Sequence, residues 1–148
     1  MKTIFRKYKS KDRKRLEELI QLFSRGESGR DIPRKNIERT IREFSRFPEK
    51  GAIYVFITDK KIIGYAISVN YWSINAGGNF SAVDEIFVDV AWRGKGIATA
   101  FIDYLKKIFK KTSVAISLEV GVGNKKAKKL YQRLGFKSEG YQFMLKTL

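Results

Sequence analysis

The sequence contains neither cysteine nor histidine. Without thiols there is no disulfide, no thiolate metal ligand and no cysteine nucleophile. Without imidazole there is no Ser-His-Asp or Cys-His machinery and no histidine ligand. A general base must therefore be a carboxylate, a lysine, a tyrosine or a terminal amine. Long apolar runs are missing too: nowhere do the roughly 18 consecutive apolar residues of a membrane-spanning helix occur. The opening MKTIFRKYKSKDRKR is basic but has no apolar stretch or small-residue cleavage site of a secretory signal. These absences lead to an expectation of one cytoplasmic domain over residues 1–148, with no metal centre and no membrane attachment. At this length an apolar core suffices without covalent staples.

Acidic residues are in deficit, with 15 Asp and Glu against 31 Lys and Arg, a net charge of +16. Residues 1–50 hold 16 cations against 8 acids, residues 51–100 hold 4 against 4, and residues 101–148 hold 11 against 3. The positive charge thus lies on the two flanks of a neutral, apolar middle. Such a field favours an anionic partner, whether nucleic acid, acidic protein or a polyphosphate.

The hydrophobic period changes along the chain. TIFRKY (3–8) alternates as a strand does. Ser10 or Asp12 is placed to cap a helix with Leu16, Ile20 and Phe23 on one face and Leu19 and Leu22 beside it. SRGESGRDIP (24–33) reads as a loop, and Pro33 suits the first turn of a second helix carrying Ile37, Ile41 and Phe44. AIYVFIT (52–58), a turn at Asp59-Lys60-Lys61 and IIGYAISVNYWS (62–73) read as a hairpin, followed by a third strand over 80–90. Further on the pattern predicts a helix over 97–109 with Ile97, Phe101, Tyr104, Leu105 and Ile108 inward, a strand over 113–122 and a helix over 124–134. Two short strands close the chain. The order implies an α+β or α/β fold with a mixed sheet.

Between the third strand and the next helix lies VDVAWRGKGIATAF (88–101), where an apolar run turns through Arg93-Gly94-Lys95-Gly96 directly into Ile97-Ala98-Thr99. A helix N-terminus presents free N–H groups and the positive end of the macrodipole. Glycine lets a backbone approach an anion where a Cβ would intrude. The spacing is neither the Walker pattern nor the dinucleotide fingerprint.

Arg93 to Ala98 resembles the R/Q-x-x-G-x-G/A loop of the GNAT superfamily of acyl-CoA-dependent N-acyltransferases. DEIFVDVAWRGKGIA (84–98) is similar to that family's fourth strand and loop. EVGVGNKKAKKLYQRLGF (119–136) is similar to its second signature, an Asn opening a helix that carries a Tyr and then Gly-Phe. Val90 stands where many members have Pro, and Trp92 where Tyr is commoner. The resemblance implies a GNAT-like fold, a central mixed and mostly antiparallel sheet with about four helices, that uses acetyl-CoA. It implies that backbone groups of Arg93, Gly94, Lys95, Gly96, Ile97 and Ala98, with Thr99, cradle the pyrophosphate. Phe87 and Val88 would pair with the pantetheine amides as an added strand does, Asn124 would touch that arm, and Lys125, Lys126, Lys128 and Lys129 would meet the 3′-phosphate or adenine. Tyr131 takes the general-acid position.

For the base the candidates are Asp84, then Glu119, then Glu85, all in apolar surroundings that suit a raised pKa. The expected reaction is direct acetyl transfer to a primary amine in a ternary complex. The acceptor is expected to be a small molecule such as a polyamine, amino acid or aminoglycoside, with a peptide or protein amine as the alternative. The other classes to weigh are a non-catalytic acyl-CoA sensor and a nucleic-acid-binding module. Against the latter, Tyr54, Phe56, Tyr65, Tyr71, Trp72 and Phe87 fall in apolar strands as core and no recognition-helix or RNA-sheet signature is present, so no nucleic-acid partner is expected. The resemblance also raises a homodimer through YQFMLKTL (141–148).

Overall fold

The structure, a computed structural model, describes residues 2–148. The chain forms β1 (Ile4–Lys7), a 3-10 turn (Ser10–Asp12), α1 (Arg13–Ser28), α2 (Arg34–Arg46), β2 (Gly51–Thr58), β3 (Lys61–Ser73) and β4 (Gly78–Val88). A second 3-10 turn (Val90–Trp92), α3 (Ile97–Phe109), β5 (Ala115–Leu118) and α4 (Lys125–Arg133) complete the order. The sheet order is β1-β2-β3-β4-β5, antiparallel except for the parallel pair β4 and β5. This is the expected mixed, mostly antiparallel sheet with four helices.

Asp59 and Lys60 both take positive φ (49° and 64°), so the β2–β3 connection is a two-residue turn whose twist matches the strands. It is one residue shorter than expected, since Lys61 already begins β3.

Each face of the sheet buries its own apolar cluster. α1 and α2 cover one face, where Leu16, Leu19, Ile20 and Ile37 pack on Ile53, Tyr65, Ile67 and Phe87. α3 and α4 cover the other, where Ile97, Phe101, Ile102, Leu105 and Tyr131 pack on Tyr54, Phe56, Ile63, Ala66 and Val83. Phe101 is wholly buried and its ring lies 4.6–5.6 Å from those of Phe5, Tyr54 and Phe56.

Several local expectations are corrected. The helix α1 continues through the presumed loop to Ser28 and closes on Gly29 (φ 69°). The return to α2 is held by the buried Ser24, which donates to the Arg30 carbonyl, and by Gln21, whose amide brackets both backbone groups of Ile32. Asp12 is the N-cap residue of α1 but makes no side-chain cap bond; its carboxylate instead accepts from Lys9 N and from the Arg6 guanidinium. Pro33 sits at the N-cap of α2, just ahead of its first turn. Leu22 and Ile108 are exposed, and Ile102 takes the inward place expected of Ile108. β4 stops at Val88, where Asp89 opens the 3-10 turn. β5 has four residues: Val114 N donates to the Asn79 carbonyl just ahead of the ladder, and the pairing with β4 ends at Leu118. Residues 135–148 form no strands: Gly135 and Gly140 take left-handed φ, and Tyr141, Phe143, Met144 and Leu145 are exposed.

Candidate active site

The site begins as a split in the sheet. β4 pairs with β5 only from Phe80 to Val83. The β3–β4 register then slips: Ser68 faces Val83 and Ile67 faces Glu85, so Asp84 is the extra residue of a β-bulge. The bulge inverts the alternation of side chains. Val83 packs under α3, whereas Phe87 packs under α1 and α2. From Asp84 to Val88, β4 keeps β3 on one edge and has no strand on the other. A gap therefore opens at the C-terminal ends of the two parallel strands, the usual place for a ligand in such a sheet.

The glycine loop stands at the mouth of this gap. Gly94 (φ 75°) and Gly96 (φ 73°) both adopt the left-handed conformation that favours glycine, and a Cβ at either would meet open space. Gly96 is the N-cap of α3 and supplies no side-chain cap. From Gly94 to Thr99, six successive backbone N–H groups find no acceptor among the described residues; Ala100 is the first to donate, to the Gly96 carbonyl at 3.0 Å. Ile97 is buried and anchors the helix start. Six free donors at a helix N-terminus form a site suited to an anion.

Arg93 behaves differently from its neighbours. Its N–H donates to the Val90 carbonyl, its Nε donates to the Val88 carbonyl at 2.8 Å, and its guanidinium lies 5.3 Å from the centre of the Phe87 ring. The side chain thus braces the loop against the end of β4. Asp89 adds a second brace: one carboxylate oxygen accepts from Ala91 N and the other from Arg15 of α1 at 2.6 Å.

The candidate bases separate clearly. Asp84 in the bulge and Glu119, one residue beyond β5, are exposed. Glu85 is half-buried, and Tyr65 Oη donates to its Oε2 at 2.7 Å. Among described carboxylates that form no ion pair, Glu85 is the only one that is not exposed. Burial pushes its pKa above the ordinary glutamate value; the Tyr65 bond opposes that rise and the Asp84 charge adds to it. The Tyr65 hydroxyl is itself pushed far up by burial and by Glu85, so it remains a donor. The sequence pattern alone presents Tyr65 only as a core aromatic. The signal that marks it is a break in phase: the adjacent acids Asp84-Glu85 interrupt an otherwise apolar strand.

Tyr131 lies on the α3 and α4 side. Its ring is buried and edge-on to Phe136 at 5.8 Å. Its hydroxyl makes no hydrogen bond, yet no buried side-chain polar atom of the described residues lacks a partner, so that hydroxyl reaches an accessible surface. Burial of the ring raises its pKa and keeps it protonated. Glu85, bonded to Tyr65 of the α1 and α2 face, and Tyr131 therefore lie on opposite faces of the sheet. Asn124 caps α4, its Oδ1 accepting from Ala127 N at 3.1 Å, and Lys125, Lys126, Lys128 and Lys129 come after it, all exposed. Among the described residues no cluster of acidic side chains is able to hold a metal ion, and no helix is long and apolar enough to cross a membrane.

A gap between parallel strands and an uncapped helix start at its mouth suit a ligand with an anionic head and an extended arm. The model of the Acetyltransferase (GNAT) family matches residues 15–136. An uncharacterized N-acetyltransferase of Methanocaldococcus jannaschii is 30% identical over 129 residues, covering 84% of this chain. The chain spans 57% of that relative's length. Among solved structures, "a possible acetyltransferase from Clostridium difficile 630" superposes with a TM-score of 0.84 at 21% identity, covering 99% of this chain and 97% of the other, a likeness of fold.

Proposed function

The chain belongs to the GNAT acetyltransferase family, and on that premise we propose that it transfers the acetyl group of acetyl-CoA directly to the primary amine of a small molecule. The observation that carries this reading is the run of six unpartnered N–H groups beside the β4–β5 gap. In this reading Gly94 to Thr99 hold the pyrophosphate, with Lys95 adding charge. The free edge of β4 at Phe87 and Val88 takes the pantetheine amides by strand addition. Because Arg93 occupies the Val88 carbonyl, Arg93 shifts when the arm enters. Asn124 lines the arm from α4, and the lysines after it face the 3′-phosphate.

The amine, with a solution pKa near ~10, must lose a proton before it attacks. Glu85 takes that proton. Its raised pKa makes it a better base than an exposed glutamate, and Tyr65 holds Oε2 so that Oε1 is left for the amine. Asp84 and Glu119 supply local negative charge that draws a cationic amine into an otherwise positive surface. Across the gap the Tyr131 hydroxyl donates a hydrogen bond, and then a proton, to the departing thiolate. With no cysteine in the chain, transfer is direct.

The test is calorimetric titration of acetyl-CoA into the wild-type chain and a Gly96→Glu variant. Micromolar binding that the variant loses supports the cradle, and thiol release against a panel of amines then addresses the acceptor. A wild-type chain that binds no acetyl-CoA would overturn the reading.

A further inference from the structure

The outer surface of α3 and α4 carries more positive charge than a single 3′-phosphate, assigned above to the lysines after Asn124, calls for. From Tyr104 to Lys137 the chain has ten cations and a single acid, Glu119. Only Lys106 among those ten has a carboxylate within ion-pair distance, Asp103 at 3.4 Å. α3 runs back from the end of β4 to the start of β5, and α4 runs back from the end of β5, packing Leu130, Tyr131 and Leu134 on the same core cluster as Ile116 and Leu118. Both helices therefore point their C-terminal ends away from the glycine loop. Lys106, Lys107, Lys110 and Lys111 lie at the end of α3 remote from that loop, as Lys129 and Arg133 lie toward the C-terminal end of α4.

The arrangement on α4 is unfavourable for the helix itself. Its nine residues hold five cations and no acid. Lys125 and Lys126 sit at the positive end of the macrodipole, and the pairs Lys125–Lys129 and Lys129–Arg133 repel at i,i+4. A charge pattern that costs local stability and finds no partner inside the molecule is the kind of inconsistency expected where a ligand is bound. A shallow open depression of about 550 Å³, lined by Lys126, Lys129, Gln132 and Arg133, runs along this face.

We propose that the outer face of α3 and α4 binds the phosphodiester backbone of nucleic acid without reading its sequence. Lys126, Lys129 and Arg133 form one row along the helix, spanning about 10 Å at ~1.5 Å per residue. Exposed lysines suffice for such a ligand, because neutralising phosphates releases condensed counterions. A protein partner would need an apolar anchor at the centre of its contact; α4 exposes no large apolar side chain and α3 only Ile108. The depression is too open to enclose a lone small anion. Its charge row suits an extended one.

The experiment is fluorescence anisotropy of a labelled 20-base-pair duplex titrated with the full chain between 50 and 200 mM KCl. Two charge-matched variants are compared with wild type: Lys129→Glu/Arg133→Glu on this face, and Arg39→Glu/Arg42→Glu on the exposed surface of α2. The expected result is salt-dependent binding that the first variant weakens about tenfold or more, lowering the salt slope by ~2, while the second stays within about twofold. Equal loss in both variants would reduce the effect to net charge and overturn the proposal. So would competition by polyglutamate as effective as that by unlabelled DNA, which would point to an acidic protein. Complete displacement by saturating acetyl-CoA would also overturn it, assigning the face to the acyl donor. None of these outcomes depends on the chain catalysing acetyl transfer.

Discussion

The two helical layers bring equal charge to the molecule and use it in opposite ways. Residues 1–50 and residues 101–148 each carry a net +8, 16 cations less 8 acids in one and 11 less 3 in the other. In the first layer the charge is largely arginine set among carboxylates, and it is woven into the scaffold. Arg13 reaches both Glu17 and Glu38, Arg34 lies within 4 Å of the same two carboxylates, and together they fasten α1 to α2. Arg6 fastens β1 to the start of α1 through Asp12, and Arg15 fastens α1 to the glycine loop through Asp89. In the second layer ten of the eleven cations are lysine and one ion pair is formed. Forked guanidinium groups suit fixed carboxylate geometry, whereas strongly hydrated ammonium groups remain in water until a ligand displaces it. One layer spends charge on architecture; the other leaves it for binding.

The largest effects are expected where the layers meet. Glu85 is the half-buried carboxylate on the first layer's side that forms no ion pair, and Tyr131 is the second layer's buried-ring hydroxyl proposed as the acid. Glu85→Gln and Tyr131→Phe should each lower kcat by about 10²–10⁴-fold while leaving calorimetric acetyl-CoA affinity nearly unchanged. Tyr65→Phe separates positioning from chemistry. The Tyr65 hydrogen bond holds the Glu85 pKa down against burial, so its loss lets that pKa rise further. Since the base works deprotonated, the acidic limb of kcat/KM should move to higher pH in Tyr65→Phe. A limb that stays in place would show that Tyr65 only fills space.

The motif is legible in the sequence, and its working geometry is not. The glycine turn, the strand before it and the Asn-to-Tyr helix are local patterns, written in contiguous residues. The bulge at Asp84 is not, because a one-residue register slip depends on what β3 offers opposite it. Strict alternation puts Val83, Glu85 and Phe87 on one face; the slip turns Glu85 and Phe87 toward α1 and leaves Asp84 exposed. The expected order of bases, with Asp84 first, rests on the family resemblance; alternation says only that Asp84 and Glu85 face opposite sides, not which of them is exposed. The end of α1 is hidden for a similar reason. Ser24 reads as the first residue of a loop until Arg30, six residues further on, is seen to be its partner, and Gln21 reaches Ile32, eleven residues on.

The next effect breaks the first layer's use of charge. Asp12 is 4% exposed and accepts two bonds from Arg6, at 2.6 and 2.9 Å, and one from Lys9 N. Asp12→Asn should cost about 3 kcal/mol in denaturant unfolding, because Arg6 loses its counter-charge in a partly buried place. The pair also sets a pH dependence. The Arg6 hydrogen bond holds the Asp12 pKa below 3.8, so its stabilisation is complete above that value and lost as pH falls through the folded pKa. The variant should therefore lose less stability than wild type on acidification below pH 4.

The smallest effect is the most telling, because its sign is opposite. Lys126 stands in the first turn of α4, where the macrodipole disfavours a cation, and three residues before Lys129. Lys126→Glu replaces both repulsions by attractions and should raise the melting temperature by about 2 °C, given the ~2–4 °C per kcal/mol of a domain this size. The same substitution should weaken anisotropy-detected binding of the duplex. Had the lysines of α4 been kept only to keep the surface charged, a change that relieves the helix would have no counterpart in binding. If the second layer holds its charge apart from carboxylates for the sake of a ligand, stability must rise as affinity falls. A fall in melting temperature would instead place Lys126 among the structural cations, and the contrast between the layers would fail there.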